Sequence, residues 1–210
     1  MLKLSEIKKS FAEKQVLDSA SLLVKKGECA MIFGMSGCGK TTLLRIAAGL
    51  EKQDSGTVEK EGNVAVVFAE ARLFPTATAL ENITMVMRED RKTARKKAME
   101  ILRAFGLESA EKLYPSELST GMSARVSLAR AVAYNADIYL MDEPFKSLDG
   151  EIKQSVAAYL REFFFDKSVL IISHDQAEAE LMKADVYWMT DGKISKCSLP
   201  EGVCLSTFSQ

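Results

Sequence analysis

Lys40 and Thr41 close the run Gly34-Met-Ser-Gly-Cys-Gly-Lys-Thr41, which has the G-x-x-x-x-G-K-[ST] spacing of a phosphate-binding loop. Gly34, Gly37 and Gly39 omit the Cβ atoms that would hold a phosphate away from the backbone. Consecutive N–H groups from Gly34 through Met35, Ser36, Cys38 and on to Thr42 can then point inward at an anion. Lys40 supplies a charge for the β- and γ-phosphates, and the Thr41 hydroxyl can ligate Mg²⁺. A second run, Ile138-Tyr-Leu-Met-Asp142-Glu143-Pro144, delivers two acids to the end of an apolar stretch. Asp142 is placed to hold Mg²⁺ through its water shell and Glu143 to polarise a water for in-line attack on a γ-phosphate. Two acids ending a strand can also be turn residues; together with the loop they point to catalysis. The only histidine, His174, follows the apolar run Val169 to Ile172 directly after Ser173, where it can be either structural or a phosphate contact.

These groups need elements to carry them. Cys29 to Phe33 reads as a buried strand entering the loop, and Thr42, Leu43, Leu44, Ile46, Ala47 and Leu50 mark an amphipathic helix leaving it, whose N-terminal dipole adds to the anion site. The helix is expected to stop at Gly49. The first 30 residues read as β-rich, Asp54-Ser55-Gly56 as a turn, and Val64 to Phe68 as a strand. From about Leu73 to Tyr134 the pattern is helical, with Thr78 and Glu81 as a capping box and Gly106 closing a longer helix. Arg88 to Lys97 reads as its solvated basic face. Ser119 can cap the helix that bears Arg125 and Arg130, either as a simple N-cap or by aiming its N-terminus at an anion. Strands return at Ile138, Val169 and Val186, the last running into a hairpin at Asp191-Gly192. Phe163 to Phe165 is expected in the core. Strand and helix alternate as in an α/β fold with a largely parallel sheet.

Composition narrows the classes. The chain has 210 residues, 47% hydrophobic and 27% charged, with a formal net charge of −1, so it offers no global field for nucleic acid or an acidic membrane. No nucleic-acid partner is expected. The N-terminus lacks the apolar segment of a signal peptide, and no stretch approaches the roughly 18 to 20 apolar residues of a membrane span. A cytosolic protein, able to dock on a membrane protein, is expected. Cys29, Cys38, Cys197 and Cys204 form no C-x-x-C pair and are expected as free thiols, with Cys38 reactive beside Lys40 when no nucleotide is bound.

In these motifs the chain resembles the nucleotide-binding subunit of ATP-binding cassette (ABC) transporters over essentially its whole length. Gly34 to Thr41 is similar to the family's Walker A, Leu118-Ser-Thr-Gly-Met122 to its signature, Ile138 to Glu143 to its Walker B, Ser147-Leu148-Asp149 to its D-loop and His174 to its switch histidine. The resemblance implies an α/β fold: a RecA-like P-loop core over residues 1–70 and 136–210, with an N-terminal antiparallel β part, and an α-helical subdomain over 71–135, all in one ATPase domain. It implies ATP and Mg²⁺ as cofactors and Phe11 as the aromatic that stacks on adenine. It implies a head-to-tail dimer, of two copies or with a paired subunit, in which Ser119, Gly121 and Asp149 face the nucleotide of the other chain. Closure on ATP would drive an integral membrane permease, served by a substrate-binding protein, from the inner face of the cell membrane. The stretch Glu70 to Pro75 and the Gly-Met ending of the signature look most like bacterial importers of sulfonates, taurine, nitrate or thiamine precursors. A non-transporting ATPase of the division or lipoprotein-release type is the alternative. A DNA-repair ATPase is a further one, against which the short stretch from Thr41 to Leu118 speaks, since it leaves no room for a coiled coil. The chain departs from the family at Ala69, where Gln is usual, at Thr120, where Gly is usual, and in a short hairpin between Gly56 and Val64. A water or Glu70 is expected to take the metal position that Gln would fill.

Overall fold

Apolar runs that alternate between two cores build the centre of the molecule. The computed structural model describes residues 1–197. Its main sheet has six strands, β3 (Cys29–Phe33), β5 (Val64–Val67), β6 (Ile138–Asp142), β7 (Ser168–Ile172), β8 (Asp185–Thr190) and β9 (Lys193–Lys196), in the order β5-β6-β7-β3-β8-β9. The first five are parallel, and β9 returns antiparallel. β6 and β7 are buried at every position, as parallel strands covered on both faces must be. Met31, Tyr139, Met141, Val169 and Ile171 enter one core, under the helices; Ile32, Ile138, Leu140, Leu170 and Ile172 enter the other. Each such Leu or Ile contributes about 1.5–3 kcal/mol on burial. The expected hairpin is present, with Asp191 (φ 48°) and Gly192 (φ 73°) both left-handed, as a tight two-residue connection requires.

A smaller antiparallel sheet, β2-β1-β4, joins β1 (Leu2–Phe11), β2 (Lys14–Val24) and β4 (Ser55–Lys60) and closes the second core. Of the turn expected at Asp54 to Gly56, Ser55 and Gly56 instead begin β4. Gly56 lies against a register irregularity of β1, where a Cβ would sit 2.4 Å from the Glu6 carbonyl oxygen; close approach, not turning, is its task.

On the loop side of the second core lies α1 (Lys40–Ala48), stopped by Gly49 as expected. Between β5 and β6 the chain forms α2 (Ala79–Thr84), α3 (Arg91–Ala104) and α4 (Thr120–Tyr134), and after β6 it adds α5 (Gly150–Phe163) and α6 (Gln176–Met182). The Thr78/Glu81 capping box is formed. In α3, Ala94, Ala98, Ile101 and Leu102 are buried and the basic residues from Arg91 to Lys97 are exposed; Arg88 precedes the helix. Buried Asn82 ties the loop before α2 together, its amide donating to the carbonyls of Phe74, Ala77 and Thr78. Of the three phenylalanines, Phe164 packs on Tyr139, Phe163 is half-buried and Phe165 is 79% exposed, because three consecutive residues at a helix end cannot share one face. Cys29, Cys38 and Cys197 are free, and burial pushes the Cys29 thiol up to about 12; Cys204 lies outside the described residues. Among the described residues no helix is long and apolar enough to cross a membrane.

Candidate functional site

The loop from β3 to α1 and the ends of β6 and β7 meet in a cleft of about 330 Å³. Its walls include Ser36, Gly37, Gly39, Lys40, Thr41 and Thr42 from the loop, Asp142 and Glu143 from the end of β6, and His174 after β7. Phe11 and Val16, from β1 and β2, form the lip. Met35 points outward, 79% exposed. Neither Gly34 nor Cys38 is part of the wall. Gly34 is packed against β8, where a Cβ would lie 2.4 Å from the Met189 carbonyl oxygen, and Gly39 against β2, 2.7 Å from that of Val16. Two of the three loop glycines are therefore needed to admit neighbouring backbone.

Lys40 is buried and turned back into its own loop, its Nζ donating to the carbonyls of Gly34 (2.7 Å) and Met35 (2.9 Å) and lying 3.8 Å from Cys38 Sγ. The Thr41 hydroxyl donates to Asp142 Oδ2 at 3.1 Å. This contact forms although β3 and β6 are not neighbours: β7 lies between them, and α1 spans the gap. The same insertion brings His174 in between loop and acids. Asp142 is only 8% exposed, and its carboxyl is held above its ordinary range by burial. The Thr41 hydrogen bond opposes that rise, the Glu143 charge adds to it, and Lys40 and His174 work against it.

Glu143 has a left-handed backbone, φ 50°, costly for a residue with a long side chain and pinned by its N–H donating to Ile172 at 2.9 Å. The kink ends β6 and turns the carboxylate along the cleft. Glu143 Oε1 then lies 2.9 Å from His174 Nε2, and Oε2 lies 2.9 Å from Lys146 Nζ. Sequence reasoning missed Lys146; its spacing of three from Glu143 was the available signal. It also missed Val16, which no local pattern marks.

Ser119, Gly121 and Asp149 do not line this cleft. Ser119 caps α4, accepting from the Met122 N–H at 3.2 Å, and a Cβ on Gly121 would lie 2.6 Å from the Ser147 carbonyl oxygen. Arg125 fastens this helix start by donating to the carbonyls of Phe105 and Gly106 at 2.8 and 2.9 Å. Asp149 opens α5 and is exposed. Ala69 is exposed outside the cleft wall, and Glu70, expected near the metal, pairs with Arg72 at 3.4 Å instead.

No cluster of three or more His, Cys, Asp or Glu side chains able to hold a metal exists among the described residues. The Thr41 hydroxyl, with Asp142 Oδ2 3.1 Å away, nonetheless offers one oxygen for direct ligation of Mg²⁺ beside a carboxylate that can hold a water of its shell. Such a site leaves the remaining positions to phosphate and water, the usual way Mg²⁺ is held.

Residues 17–146 match the family described as ABC transporter. A probable sulfate/thiosulfate import ATP-binding protein, CysA, of Chlorella vulgaris is 36% identical, over 91% of this chain and 88% of its own length. The aliphatic sulfonates import ATP-binding protein SsuB 1 of Shouchella clausii is 36% identical, over 92% of this chain and 79% of its own. Among solved structures, the ATP-binding cassette MJ0796, in a dimeric post-hydrolysis state bound to ADP and Pi, superposes with a TM-score of 0.85 at 29% identity, covering 93% of this chain and 98% of that one.

Proposed function

The chain belongs to the ABC transporter family as an ATP-binding and ATP-hydrolysing subunit, and from that premise we propose how its residues share the work and what it serves. The loop N–H groups and Lys40 bind the phosphates, Phe11 stacks on adenine, and Thr41 and Asp142 hold Mg²⁺, which when bound neutralises charge on the β- and γ-phosphates. Glu143 is the general base, supported by its place beside the buried Lys40 and Asp142 and by its 2.9 Å contact with His174. In the free chain the His174 Nε2 donor and Glu143 Oε1 satisfy each other. When the imidazole N–H turns to a γ-phosphate oxygen, Oε1 is released to accept a proton from the attacking water, while Lys146 keeps Oε2.

Ser119, Gly121 and Asp149 serve the nucleotide of a second copy, which agrees with their lying apart from this chain's own cleft. Residues 71–135 act as the helical subdomain that carries the signature, with 1–70 and 136–210 as the core, of which 198–210 lie outside the described residues. The cleft closes between two head-to-tail copies and drives a membrane permease from the inner face of the membrane, together with a substrate-binding protein. The cargo class is a sulfur oxyanion or sulfonate, supported by the import activities named for both relatives.

The test is Glu143→Gln. ATP affinity should stay within about twofold while turnover falls by roughly 10²-fold or more, the scale of general-base catalysis, and sedimentation with ATP should show a dimer. Unchanged single-turnover hydrolysis would remove Glu143 from the base role.

A further inference from the structure

Beside the cleft, on the far side of His174, lies a second cavity of about 260 Å³ whose wall holds charges that the hydrolysis chemistry above does not use. Glu178, on α6, is only 3% exposed. Its Oε2 accepts from the Ser173 hydroxyl at 2.6 Å and its Oε1 lies 3.0 Å from Lys153 Nζ. The same ammonium lies 3.0 Å from Asp175 Oδ2, and Ser173 Oγ accepts from the Asp175 N–H at 3.0 Å. The residues on both sides of His174 are thus tied to one lysine–glutamate pair, while His174 itself stays half exposed. Lys153 sits one turn into α5, its N–H donating to Asp149 at 2.7 Å, so the pair also links the start of that helix to the His174 segment.

We propose that Lys153 and Glu178 are positioning residues that hold the His174 segment in register with Glu143 and couple it to the Ser147–Asp149 stretch. The pair acts through geometry. A buried carboxylate with two strong donors allows few alternative placements of Ser173, and an ammonium shared with Asp175 fixes the other flank. The 2.9 Å contact between His174 Nε2 and Glu143 depends on both flanks being fixed. The inference rests on His174 acting in hydrolysis, as proposed above.

His174 is the only histidine, so its ring gives an isolated signal in ¹³C and ¹⁵N spectra of the full-length chain. In Lys153→Met the ring order parameter should fall and kcat should drop by about 10- to 100-fold, the scale of a misplaced catalytic group. KM for ATP should stay within about twofold, because the phosphate loop is untouched. Lys153→Arg should restore both readouts. If Lys153→Met does not fold, with Glu178 left buried and unpaired, the double variant Lys153→Met/Glu178→Leu removes that charge and should show the same loosened ring and the same loss in kcat. A ring signal and kcat equal to wild type in either variant would overturn the proposal. His174→Ala separates the premise: wild-type hydrolysis in that variant sinks the role of His174, whereas the ring order parameter tests the anchoring itself.

Discussion

Asp142→Asn should strengthen the nucleotide-free chain and weaken its response to Mg²⁺ and ATP, an inversion that a purely structural carboxylate would not produce. The substitution keeps a side-chain oxygen to accept from Thr41 Oγ1, 3.1 Å away, and removes a charge that is 8% exposed and next to Glu143. Burial, joined by the Glu143 charge, raises this carboxyl above its ordinary range. An acid raised in the folded state is harder to ionise there than in the unfolded chain. Above the folded pKa its charge therefore subtracts from stability, by about 1.4 kcal/mol for each unit of rise. The penalty disappears as pH falls through the folded pKa toward the unfolded value of about 3.9. At pH 7.5 in EDTA the Asn variant should melt higher, by about 2–4 °C for each kcal/mol in a chain of this size. Near pH 4 the two should coincide. With saturating Mg²⁺ and ATP the order should reverse, since wild type gains about 2.7 kcal/mol at a hundredfold excess over Kd and the variant loses the metal's share. Thermal melts of both proteins in the two buffers decide it. A variant that melts lower in EDTA, or that keeps the full Mg²⁺-dependent rise, refutes the reasoning.

Two further outcomes test the loop and the departure from the family. Gly34→Ala would bring a Cβ to 2.4 Å from the Met189 carbonyl and 2.9 Å from Cys38 Sγ at φ 153°, so the loop must shift. Denaturant titration should show a loss of at least about 2 kcal/mol, and ATP affinity should fall with it; an unperturbed midpoint would mean the loop yields freely. Ala69→Gln should raise hydrolysis several-fold and move the Mg²⁺ dependence to lower concentration, if the added amide reaches the cleft from its exposed position. Identical Mg²⁺ titrations for the two proteins would show that residue 69 faces away.

What could be read in advance was chemistry carried by consecutive residues. A phosphate loop needs its glycines, lysine and threonine side by side, and strand-end acids need an apolar strand before them, so Gly34 to Thr41 and Ile138 to Glu143 were legible. The strand order was not. Val64–Val67, Ile138–Met141 and Val169–Ile172 are equally apolar because all are covered on both faces, and nothing local says that β7 separates β3 from β6. Placement by tertiary contact hid the rest: Val16 reaches the cleft from the other sheet, and Gly56 is explained only by the β1 irregularity it lies against. Asn82 carries no local signal in the sequence, yet its burial makes it the hub of the preceding loop.

The chain's reactive groups partner one another, and in the roles proposed above the strengths of these contacts bear on how a nucleotide would replace them. Lys40 is held by two neutral carbonyls, Thr41 by Asp142, and Glu143 by His174 and Lys146. A hydrogen bond from an ammonium to a carbonyl contributes about 1.5–3 kcal/mol net. A bond in which donor and acceptor are both charged is stronger, so in the proposed role a phosphate would draw Lys40 away from these carbonyls. The contact from Lys146, which is 69% exposed, is weakened by solvent. Glu143 is only 16% exposed, so its carboxylate cannot be left unpaired at the same cost. In the proposed mechanism the donor that leaves it is replaced by the attacking water, which would link deprotonation of that water to the turning of His174 toward the phosphate.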